Sequence, residues 1–118
     1  MRSERERLLD ILEAIQRIEK YAAEGKDAFY ADELIQNWMV NHISVIGEAC
    51  RSLPAEFQAR YANVPWADII GMRNILVHHY FGIDEDAVWS VVEKDIPELK
   101  FNIETILKSW EAEDNDPK

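Results

Sequence analysis

Apolar residues recur at three- and four-residue steps along nearly the whole chain, the period at which an α-helix returns to the same side. The first such run is Leu8, Ile11, Leu12, Ile15, Ile18 and Ala22. It follows Ser3-x-x-Glu6, a capping box, and predicts an amphipathic helix of roughly 20 residues that ends at Gly25. A second, longer run, from about Asp27 through Ile35, Trp38, Met39, His42, Ile46, Ala49 and Leu53, is stopped by Pro54. The two helices are expected to pack antiparallel across the turn at 24–26. The stretch PAEFQARYANVP lacks sustained periodicity and reads as a connector with one helical turn. Pro65 suits the first turn of a third helix, WADIIGMRNILVHHYF, with Gly82 placed to close it as a left-handed cap.

Asp84, Glu85 and Asp86 bring negative charge to the start of a fourth helix, whose stripe is Val88, Trp89, Val92 and Ile96. Pro97 marks a break or a new first turn, after which Leu99, Ile103, Ile106, Leu107 and Trp110 continue a fifth face. With only four glycines and four prolines, the chain is too poor in turn residues for a sandwich or barrel. The expected fold is all-α, an up-and-down bundle of four to five helices over residues 1–111, with 112–118 an acidic, disordered tail.

Cys50 is the single cysteine, so an internal disulfide is excluded, and its apolar helical setting predicts a buried thiol. The N-terminal MRSERERLLD lacks the apolar run of a signal peptide, and no uninterrupted apolar stretch approaches the roughly 18 residues of a membrane span. A reducing cytoplasm is the expected setting, with no membrane attachment. The four tryptophans fall on apolar faces or at a helix start, which predicts core or dimer-interface roles.

The formal net charge of −10 opposes phosphate-rich partners, although Arg51, Arg60 and Arg73 cluster in the middle third and could line a local basic cleft. GMRNILVHHYFGID holds the densest set of chemically capable residues: Arg73, Asn74, His78, His79 and Tyr80. Arginine can hold a phosphate with a rigid donor fork, histidine exchanges protons near neutral pH, and tyrosine adds a hydroxyl. Together they suffice for metal-free attack of a 2′-hydroxyl on the adjacent RNA phosphate. In an unbroken helix Arg73 and Tyr80 share a face about 10 Å apart, whereas His78 is offset by roughly 140°. Either the helix unwinds near His78, or a two-fold dimer completes the site, and the dimer is the favoured arrangement. The bland alternative makes Arg73 a surface ion-pair partner of Glu48 or Asp68. No metal-binding spacing is present: His42, His78 and His79 include no His-x-x-x-His pair, and there is no Cys-x-x-Cys.

Arg73, four residues, His78, one residue and Tyr80 match the Arg-x-x-x-x-His-x-Tyr signature of the HepT-like toxins within the HEPN superfamily. IGEACRSLP at 46–54, VPWADIIGMRNILVHHYFGID at 64–84, and VW at 88–89 followed by DIPEL at 95–99 resemble that family in register, so the resemblance spans roughly residues 5 to 110. It implies a HEPN-like helical homodimer with the signature in its cleft, cleaving RNA rather than DNA without metal or cofactor. It further implies a minimal nucleotidyltransferase antitoxin that silences the toxin by moving AMP onto the signature tyrosine. Arg73, His78 and Tyr80 would then be catalytic, with Tyr80 also the AMP acceptor; Asn74, His79 and Glu48 are candidate supporting residues. The alternative is a catalytically idle helical subunit that binds a nucleotidyltransferase.

Overall fold

In the computed structural model, which describes residues 2–78 and 82–114, the chain opens on the capping box read from its sequence. Ser3 Oγ accepts the Glu6 N–H at 3.1 Å, and the Glu6 carboxylate accepts the Ser3 N–H at 3.1 Å. These bonds start helix α1 (Glu4–Ala22), which buries Leu8, Ile11, Ala14, Ile15 and Ile18. Gly25, at φ +95°, turns the chain in a region open to glycine and leads into α2 (Lys26–Ala31).

The second expected helix is two helices. Asp32 is extended at φ −129°, ψ 106°, and its side chain accepts the Leu34 N–H at 2.9 Å, so it caps a fresh helix, α3 (Glu33–Arg51). Breaking a helix strands backbone carbonyls, and here the buried Gln36 amide donates to the Phe29 carbonyl at 3.0 Å. At the other end of α3 the Gln58 amide, from the short helix α4 (Ala55–Arg60), reaches the Cys50 and Leu53 carbonyls, each at 3.1 Å. Cys50 is fully buried, as its setting predicts.

The third expected helix is shorter than the sequence suggested. Helix α5 (Trp66–Leu76) stops six residues before Gly82, and Val77 is extended at φ −126°, ψ 122°. Val77 and His78 form strand β1, which pairs antiparallel with strand β2 (Gly82–Ile83) in the register Val77↔Ile83 and His78↔Gly82. Gly82 does take a left-handed φ of +75°, but in this hairpin rather than as a helix cap. Two forces outweigh helix propagation. Leu76 is buried with its carbonyl accepting the Asp84 N–H at 2.8 Å, and the β-branched Val77 loses little on extending.

The fourth and fifth expected helices form one continuous rod. Helix α6 (Glu85–Ser90), capped by Asp84, runs through a π-helical turn (Val91–Asp95) into α7 (Ile96–Asp114). Pro97 has no N–H to give and its ring collides with a carbonyl four residues back in a regular helix. The wider turn, with the Ile96 N–H reaching the Val91 carbonyl, accommodates it in the first turn of α7.

The result is the all-α bundle expected. α3 is the central rod, packed against α1 on one side and α5 on the other, while α7 closes over α1. Ile15, Ile18, Ile43, Ile46 and Ile103 are at most 2% exposed, each side chain contributing about 1.5–3 kcal/mol by leaving water. All four tryptophans are buried or half-buried against this core, and each indole N–H has an acceptor. No helix of the described residues is long and apolar enough to cross a membrane.

Candidate functional site

Trp66 fixes the start of α5 by burying its ring and donating its indole N–H to the Tyr61 carbonyl at 3.0 Å. At 100° per residue, Arg73 falls in angular phase with Trp66, Ile69 and Leu76, the buried stripe of the helix. A guanidinium in that phase must be paired or reach water. Arg73 reaches water: it is exposed and lines a groove of about 210 Å³ between α3 and α5.

Gly47 makes this groove shallow and tight. A Cβ there would lie 3.5 Å from the carbonyl oxygens of Ile69 and Ile70, so the two helices meet backbone to backbone at that point. Beside the contact the groove is lined by Ser44, Glu48, Arg51, Arg73 and Asn74. The ion pair of Arg73 with Glu48 or Asp68, which would have made it a surface residue like any other, does not form. Glu48 faces Arg51 instead, at 3.6 Å, and Arg73 has no carboxylate within ion-pair distance among the described residues.

The structure therefore brings together Arg73, Asn74 and Glu48 of the candidate site residues, together with Arg51 of the expected basic cleft. His78 is placed at the level of the backbone, as the second residue of β1, two residues beyond the end of α5. The helix has thus ended before His78, so the helical spacing from Arg73 to Tyr80 does not apply past Leu76. The helix does unwind before His78, one of the two arrangements open on sequence. His79 and Tyr80 lie outside the described residues. Sequence reasoning named Arg51 only as one of three arginines able to line a local basic cleft and gave Gly47 no site role; both stand in the IGEACRSLP segment, and the missing signal was that this segment faces α5.

Two other chemically capable side chains lie outside this groove. Cys50 sits in the core with its thiol pushed up to about 12 by burial, which disqualifies it as a nucleophile at neutral pH. His42 is buried on α3 with its Nε2 unpartnered, its pKa lowered first by burial and then by Arg17, and it lines the opposite groove, between α1 and α3. It is not part of the Arg73 groove.

Comparison with known proteins agrees with this reading. The family model described as "Ribonuclease HepT-like" matches residues 11–106. The chain is 36% identical over 108 residues to "Probable ribonuclease HepT" of Thermococcus cleftensis, covering 91% of this chain and 98% of that protein. It is 38% identical over 104 residues to a "Putative RNase" of Methanocaldococcus jannaschii, covering 84% and 92%. It is also 40% identical over 106 residues to a "Gamma-glutamylcyclotransferase and putative RNase" of the same organism; those residues are 89% of this chain but span only 48% of that longer protein. No solved structure matches significantly. By the extent of that match and the level of those identities, the chain belongs to the HepT-like ribonuclease family.

Proposed function

We propose that the protein is a metal-independent endoribonuclease toxin, held silent by a nucleotidyltransferase antitoxin that transfers AMP onto Tyr80. The observation that carries the reading is Arg73: an exposed guanidinium with no ion-pair partner among the described residues, in the core-facing phase of α5, one turn before the helix gives way to the His78 strand. Family membership supports the ribonuclease activity. In the reaction, the 2′-hydroxyl loses its proton to His78 and its oxygen attacks the adjacent phosphorus. The P–O5′ bond breaks as a proton reaches the leaving 5′-oxygen, leaving a 2′,3′-cyclic phosphate and a 5′-hydroxyl. Arg73 offsets the charge that builds on the non-bridging oxygens, and Tyr80 supplies a hydroxyl to the same phosphate.

The working form is a homodimer. α5 leaves Ile75 65% exposed two residues past Arg73, and a groove of about 380 Å³ that includes Met72 and Ile75 runs between α5 and the α6–α7 rod. Covering this surface with a second copy sets two signature segments side by side. AMP on Tyr80 adds a phosphodiester carrying one negative charge, which competes with RNA for Arg73 and repels the substrate phosphate.

Purified, unmodified protein incubated with total RNA tests the activity: cleavage that persists in EDTA and is lost in Arg73→Ala is expected. Intact mass after incubation with ATP and the cognate nucleotidyltransferase tests the control. Wild type should gain AMP and Tyr80→Phe should not; equal gain by both would remove Tyr80 as the acceptor. A chain that takes AMP but leaves RNA whole would instead be the idle partner subunit.

A further inference from the structure

We propose that Arg51 is a second phosphate-holding residue for RNA in the α3–α5 groove, with Glu48 as the built-in competitor that the substrate displaces; this rests on the ribonuclease reading above. Arg51 and Arg73 stand on different helices yet line one small groove, because Gly47 lets α3 and α5 approach closely. Two guanidinium groups there face one carboxylate, a local excess of positive charge on a chain of net −10. Neighbouring grooves have the opposite balance. The α1–α3 groove sets Arg7 and Arg17 against Asp10, Glu13 and Glu48, and the α5–α7 groove holds Asp68, Asp95 and Glu98 with no cation. A strand of phosphates leaving Arg73 is therefore drawn along α3 rather than across either of the others.

Arg51 is free to take that role. Its pair with Glu48 is long, 3.6 Å, and both side chains are more than 60% exposed, the setting in which an ion pair is weak. A phosphate offers the guanidinium two oxygens in fork geometry and a charge that Glu48 matches only singly. Asn74 and the Ser44 hydroxyl line the same groove; the hydroxyl donates to the Val40 carbonyl at 2.9 Å and so turns its lone pairs outward as acceptors. Acceptors of that kind suit the donors of sugar or base rather than a second phosphate.

The test is equilibrium binding of a short single-stranded 2′-O-methyl RNA, which cannot be cleaved through the blocked hydroxyl, to the full chain and three variants. Arg51→Ala should weaken binding about tenfold and make the salt slope shallower by about 0.7, the loss of one phosphate contact. Arg60→Ala removes the same charge at an exposed site paired with Glu113, outside the groove, and should change binding by roughly twofold at most. Glu48→Gln should tighten binding severalfold, by releasing Arg51 and removing a charge that repels phosphate. Equal effects of Arg51→Ala and Arg60→Ala, or weaker binding by Glu48→Gln, would overturn the proposal. If unmodified RNA is cleaved by the wild type while Arg51→Ala binds normally, the groove assignment fails and the ribonuclease reading stands. If the wild type neither binds nor cleaves, both fall.

Discussion

His42 and Arg73 are two ionisable side chains that the bundle treats in opposite ways. His42 lies edge-on to Trp38 with ring centroids 4.5 Å apart, and burial together with the nearby Arg17 outweighs Glu13 in keeping the ring neutral. Because the unfolded chain takes up a proton near the ordinary value of 6.5 and the folded chain resists it, His42 supports the fold above that pH and ceases to as pH falls through its lowered value. Urea midpoints should therefore drop on acidification below about pH 6.5, and His42→Leu should lessen that drop. Arg73 makes no ion pair among the described residues, so Arg73→Ala should leave stability within about 0.5 kcal/mol while abolishing cleavage. A large loss of stability on thermal unfolding would mean that the side chain is structural and would remove it as evidence for chemistry.

At the scale of elements, the sequence was most legible where one local rule settled the matter. Ser3 and Glu6 start α1, and Pro54 follows the end of α3, as their spacing and chemistry dictate. It was least legible where two rules competed. The apolar pattern runs through Phe29, Ile35 and Met39 as if one helix carried them, yet Asp32 caps between them and Gln36 secures the broken end. Past Leu76, nothing in Ile75-Leu76-Val77 announces a stop; the long-range bond from the Asp84 N–H decides it. Arg73, Asn74 and Glu48 were readable as candidates because they stand out chemically, whereas only the packing of α3 on α5 shows that Arg51, of the arginines offered for a basic cleft, is the one that shares a groove with Arg73. Asp32→Ala should cost about 1 kcal/mol, as the loss of a helix cap does. Gly82→Ala, forced to hold φ +75°, should cost roughly 1–2 kcal/mol. Chemical denaturation checks both, and a cost-free Gly82→Ala would contradict the hairpin described.

The whole molecule is an acidic rod, 55 Å long and 27 by 25 Å across, that must nevertheless accept a polyanion. With two guanidinium groups meeting phosphate, affinity for single-stranded RNA should fall only about sevenfold between 50 and 200 mM salt, far less than for a broadly basic binder. A loss of several hundredfold would demand phosphate contacts beyond this groove. The described residues hold no cluster of three or more His, Cys, Asp or Glu side chains able to hold a metal; cleavage is expected to survive chelation. Loss of activity in EDTA, restored by a divalent ion, would refute that mechanism.

The switch from helix to strand between Arg73 and His78 also changes what an insertion would do. Along a helix an added residue swings everything beyond it by 100°, so errors accumulate as rotation; along a strand it exchanges the two faces, and a second insertion restores them. The four-residue interval of the signature crosses both regimes, three steps helical and two extended. Its length is therefore governed by parity at the His78 end and by phase at the Arg73 end, and no single added residue can satisfy the two at once.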